Sequence, residues 1–115
     1  MIRITNVRTR RDDKLSHERE VRVHRPYLLG NPIVMKSESD RQEVIDKFRA
    51  LLTREMTRPE SPMRQEIMRL RRHHNNGANL ELICFCAPKA CHAEVIKEFI
   101  EAEDEKLNLS DWGTK

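Results

Sequence analysis

The stretch Leu80-Glu81-Leu82-Ile83-Cys84-Phe85 carries apolar side chains at both odd and even positions. Successive strand residues point to opposite faces of a sheet, so apolar residues on both faces mark a strand in a sheet's interior. The residues after this strand narrow the fold further. Between Cys84 and His92 the chain passes Pro88 and all three of its cysteines. It then enters a run in which Val95, Ile96, Phe99 and Ile100 share one helical face. An interior strand leading into an amphipathic helix is the building unit of α/β proteins.

The rest of the chain fits the same class. Ile2 and Ile4 alternate with Arg3 and Thr5, predicting an opening strand that reaches Val7. Glu20-Val21-Arg22-Val23-His24 alternates again, with Pro26 expected to stop it because proline cannot donate to a ladder. Val44, Ile45, Phe48, Leu51 and Leu52 lie on one face of a helix, with Ser39 and Gln42 spaced as a capping box. Ser61-Pro62 opens a second helix with the stripe Met63, Ile67 and Leu70, and Asn75-Asn76-Gly77 ends it. The expected order is β-β-α-α-β-α, a small, mostly parallel sheet of three or four strands flanked by three helices. Residues 1–106 are expected to form one domain, and 107–115 a frayed tail near Trp112.

At 115 residues there is room for one core, and aromatics are only 4%. A homodimer would supplement so modest a core. No apolar run approaches the roughly 20 residues that cross a bilayer, and Met1–Thr5 lacks a signal-peptide h-region, so the cytosol is the expected location. Its reducing poise favours thiols over disulfides. Residues 1–75 carry 18 Lys/Arg against 11 Asp/Glu, whereas 76–115 carry 4 against 8. Arg8, Arg10, Arg11 and Lys14 form one basic cluster; Arg69, Arg71 and Arg72, with His73 and His74, form another. These would serve a nucleic-acid or host-protein partner, or stand as solvated loop and helix-end charges. Arg41, at the start of its helix, is expected to pair with a nearby carboxylate. Met56, Met63 and Met68 suit core filling.

If the second and third strands run parallel, the loops after them meet at one sheet edge, where ligands of open α/β sheets bind. Those loops are Arg25–Pro32 and Cys86–His92. The residues Arg25-Pro26, Leu29-Gly30-Asn31-Pro32, Arg41-x-Glu43-Val44-Ile45 and Cys84-x-Cys86-x-Pro88-x-x-Cys91-His92 make this chain resemble a small domain family of bacteria and phages without a settled activity. That resemblance spans roughly residues 2–105 and implies an α/β fold in a bacterial cytosol or a phage-infected one. The chain has His24 where the family often has glycine before the arginine, and Ala93-Glu94 where it often has Gly-Asp.

Three chemistries compete at this junction. Zinc takes four Cys/His ligands, and Cys84, Cys86, Cys91 and His92 are candidates. Neighbouring residues on a helix diverge by about 100°, which makes joint ligation by Cys91 and His92 awkward. No metal or cofactor is therefore expected. Cys91 at a helix N-terminus suits a nucleophile, with His92 or His24 as base and Glu94 to orient it. The amides of Ala90–Ala93 suit an anion, with Lys89 and Arg25 adding charge and Asn31 orientation. The preferred reading is a small anionic, nucleotide-like ligand held by Arg25, Asn31, Lys89, Cys91, His92 and Glu94. Cys91 and His92 then sit closest to any chemistry. A zinc-stabilised or basic-patch interaction module is the alternative.

Overall fold

The computed structural model describes residues 1–8, 18–25, 27–33, 35–85 and 91–107. Strands β1 (Ile2–Asn6) and β2 (Glu18–Arg22) precede helices α1 (Arg41–Glu55) and α2 (Pro62–Asn75). Strand β3 (Asn79–Cys84) and helix α3 (His92–Glu101) come next, with 3-10 turns at Glu38–Asp40 and Asp104–Leu107. The expected α/β class and element order hold. The sheet has three strands in the order β1-β3-β2, and both pairings are parallel. β3 is thus the interior strand that its two-faced apolar pattern required.

Register explains which side faces the helices. Ile4 and Val21 both pair with Leu82, so Ile2, Ile4, Val21, Leu80, Leu82 and Cys84 share one face. That face joins a single core with Ile45, Phe48 and Leu52 of α1, Ile67 and Leu70 of α2, and Val95, Ile96, Phe99 and Ile100 of α3. On the opposite face Glu81 is fully buried and accepts a hydrogen bond from Thr5 Oγ1 at 2.7 Å. Parallel pairing therefore puts the C-terminal ends of β2 and β3 side by side.

Several local expectations are corrected. β2 begins and ends two residues earlier than the alternation suggested; Val23 still donates to Ile83 O at 2.9 Å, but His24 already turns away. β3 stops at Cys84, leaving Phe85 half exposed. Ser39 does not cap α1: it lies inside the 3-10 turn, its hydroxyl bonds Ser37, and Gln42 reaches Asp46 instead. Ser61 does cap α2, its hydroxyl accepting from the Arg64 amide, with Pro62 at the first helical position. Gly77 ends that helix at φ +91°, a conformation most side chains avoid. Leu107, placed at the start of a frayed tail, packs against the core; Trp112 lies outside the described residues. No described helix is long and apolar enough to cross a membrane.

Candidate functional site

The loop leaving β2 and the start of α3 touch directly. His92, the first residue of α3, is only 8% exposed. Its Nε2 lies 2.5 Å from Val23 O and 3.1 Å from Leu29 O. Both partners are carbonyls, so Nε2 carries the proton and donates, leaving Nδ1 as the acceptor nitrogen. The ring also meets the Phe48 ring edge-on at 4.9 Å. Burial pushes the His92 pKa below the ordinary histidine value, opposed by the two carbonyl bonds and reinforced by the nearby Arg25 guanidinium. Placed by sequence as a candidate base, His92 acts here as a clamp on the β2 loop.

That loop is compact for reasons visible in its residues. Tyr27 N donates to His24 O and Gly30 N to Tyr27 O, at 3.0 and 2.8 Å. Gly30 is buried so close to the turn's start that a Cβ would lie 2.9 Å from Arg25 Cα. Asn31 Oδ1 accepts from the Ile33 amide at 2.9 Å, an Asx turn that leaves its Nδ2 donors. His24 Nδ1 donates to Arg25 O at 2.8 Å. The His24 ring lies between Phe85 (4.6 Å) and Tyr27 (5.1 Å), both in edge contact, and Arg8 sits over Phe85 at 5.9 Å.

Between these parts opens a cavity of about 280 Å³. Arg25, Asn31, Cys91 and His92 line it, four of the six ligand-site residues expected from sequence. Its remaining walls are His24, Phe85 and Arg41, with an apolar side of Ile33, Met35, Val44 and Ile45. Glu94 is not among the lining residues, and Lys89 and Cys86 lie outside the described ones. From the sequence, Phe85, Met35 and Val44 had no expected place in the ligand site. Val44's place at the flank of the α1 stripe was the available signal for it, and Phe85 is the last residue of an apolar run. Arg41 pairs with Glu38 through two bonds of 2.8 and 2.9 Å, as its position suggested.

Cys91 is the N-cap of α3, extended at φ −154°, and not a residue within the helix. The helical divergence invoked against joint ligation therefore does not apply to it. Its Sγ accepts from the Ala93 amide at 3.3 Å, while Glu94 Oε2 accepts from the Cys91 amide at 3.1 Å. A capping box thus occupies two of the amides expected to seat an anion, and it sets a carboxylate at the same place. The guanidinium groups on the cavity wall are those of Arg25 and Arg41, the latter paired with Glu38. Cys91 Sγ also lies 3.5 Å from Cys84 Sγ, and both residues are buried. Among the described residues no three metal-binding side chains cluster.

Folding withdraws Arg71 from the second basic cluster, while Arg72 stays exposed and both Arg69 and Arg72 remain close to His73. Arg71 is 3% exposed, neither a helix-end charge nor a surface contact. Its Nη1 donates to Phe99 O and Ala102 O, each at 2.6 Å, and Nη2 to Asp104. It thereby caps the C-terminus of α3. Arg69 forks onto Glu66. His73 and His74, expected to be solvated, are half-buried, and burial lowers the His73 pKa. Of the first cluster, Arg10, Arg11 and Lys14 lie outside the described residues.

Compared with known proteins, the chain matches no curated protein and no solved structure. A family model does match, over residues 6–102, and so includes every residue that lines the cavity. The chain belongs to the family described as a domain of unknown function, DUF4326.

Proposed function

We propose that this domain binds a small anionic, nucleotide-like ligand in the cavity between the β2 loop and the start of α3. The observation that carries the reading is the composition of that cavity at the carboxyl edge of a parallel sheet. One side is apolar, from Ile33, Met35, Val44 and Ile45. Phe85 and His24 offer ring surface to a planar base, and Arg25 offers its guanidinium group to a phosphate or carboxylate, with Arg41 held beside it by Glu38. Asn31 adds amide donors that its own turn does not use. The site has no Gly-rich phosphate loop, so a Walker-type ATPase is not proposed.

Thermal melting against nucleotides, nucleosides and phosphosugars tests the reading. A ligand at a hundredfold excess over its Kd adds about 2.7 kcal/mol, which shifts the midpoint by several degrees in a domain of this size. Arg25→Ala should remove the shift for charged ligands while leaving the unliganded melting temperature nearly unchanged. Silence across the panel at millimolar concentrations would sink the proposal. Retention of DNA or RNA that weakens with salt would favour the basic-surface alternative instead.

A further inference from the structure

We propose that Cys91 and Cys84 form a redox-active dithiol in the cavity wall, oxidised to a disulfide by peroxides of small-molecule size. The inference does not depend on what else the cavity binds.

Three observations carry it. The two Sγ atoms are 3.5 Å apart, although they come from the end of the central strand and the cap of the following helix. A disulfide needs about 2.05 Å, so closure requires a movement of about 1.5 Å, within what a cap residue supplies by side-chain rotation and a small backbone shift. Cys91 contributes to the cavity wall with only 3% of its surface exposed, whereas Cys84 is fully buried, so of the two only Cys91 can meet an oxidant that enters the cavity. The Ala93 amide donates to Cys91 Sγ from the start of α3 and favours negative charge on that sulfur, outweighing at closer range the Glu94 carboxylate that the same capping box holds at the Cys91 amide. Cys91 is therefore the attacking thiol and Cys84 the resolving one.

The chemistry balances with a hydroperoxide as the two-electron oxidant. The Cys91 thiolate attacks the distal peroxide oxygen; an S–O bond forms, the O–O bond breaks, and the alcohol or water leaves with the Cys91 proton. Cys91 is then a sulfenic acid. Cys84 sulfur attacks Cys91 sulfur, an S–S bond forms, the S–O bond breaks, and hydroxide leaves as water with the Cys84 proton. Together the two thiols lose two electrons and two protons. Closure draws Cys91 toward the strand and shifts the residue next to the His92 clamp, so oxidation reshapes the cavity wall.

The test uses the reduced full chain and a small excess of hydrogen peroxide, read by intact mass and peptide mapping. The expected result is a loss of about 2 Da, reversed by dithiothreitol. The alkylatable thiols should fall from three to one. The Cys86→Ser variant should still lose this mass, with the link mapped between Cys84 and Cys91. The Cys84→Ser variant should stop at the sulfenic acid, gaining about 16 Da and reacting with dimedone. A link through Cys86, an intermolecular link, or full alkylation after oxidation would overturn the proposal. So would stoichiometric zinc that shields the thiols of the purified protein. Should Cys84→Ser fail to fold, the wild-type and Cys86→Ser results decide the matter alone.

Discussion

Gly30 lies against Arg25 so closely that any Cβ at position 30 would meet the Arg25 backbone N and Cα at 2.9 Å. This contact, and not a left-handed backbone, is what demands glycine there. It closes the turn that brings Leu29 O to His92 and Arg25 to the cavity. Backbone atoms cannot step aside as a flexible side chain can. Gly30→Ala should therefore cost about 1–3 kcal/mol, the range for overpacking a tight site, measured by urea denaturation. It should also weaken whatever binds at Arg25. An alanine variant as stable as the parent would show that the turn tolerates opening.

The depressed pKa of His92 has a definite sign in stability. The unfolded histidine takes up a proton near its ordinary value of 6.5, while the buried native ring resists it. Stability is full above that value. It is lost as the pH falls below about 6.5, because the unfolded chain then binds more protons. Arg25 and His24 face the ring and strengthen the effect. The urea midpoint should drop between pH 7.5 and 5.5. His92→Gln, which keeps an N–H donor but cannot titrate, should flatten the slope. His73 shifts in the same direction, but it is common to both proteins, so the difference isolates His92.

Arg71 holds the last turn of α3 by its carbonyls. Asp104 is mostly exposed, so that ion pair adds little, and the bonds to Phe99 O and Ala102 O carry the effect. Arg71→Met should cost about 2–3 kcal/mol by leaving buried carbonyls unmet. Hydrogen exchange should accelerate selectively around residues 99–104. Arg71→Lys should fall in between, because an ammonium cannot fork to several acceptors. Uniform exchange rates in the Met variant would argue against a capping role.

Cys91 caps α3 through sulfur, a weaker acceptor than oxygen. Cys91→Ala should destabilise the domain by about 0.5–1 kcal/mol, the low end of cap removal. Cys91→Ser should restore most of that. Equal melting temperatures for the two variants would mean that the sulfur cap contributes nothing.

Much of the architecture was legible from local pattern. The period of 3.6 at Ile45, Phe48 and Leu52, and the Ser61-Pro62 start, are signals within one element, and they correspond to α1 and α2. The two-faced apolar run at Leu80–Cys84 required an interior strand. Element ends were less legible. β2 stops at Arg22 because the turn from His24 to Gly30 takes over the hydrogen bonds, and alternation alone does not show where a ladder ends. The Ser39 capping box failed because a 3-10 turn from Glu38 placed that serine inside the structure it was expected to start.

By itself, the sequence determined the class of fold and the order of elements, because periodicity and turn residues act over a few neighbours. Only the tertiary structure decided what those residues do to one another. Parallel pairing of β2 and β3 set His92 against Val23 O and Leu29 O, turning a candidate base into a clamp. The return of the chain from β3 into α3 brought Cys91 to Cys84. Packing of α2 on α3 buried Arg71, where a count of charges had placed it on the surface. Each of these contacts joins residues from separate elements, and their distance depends on register and packing, which no local pattern encodes.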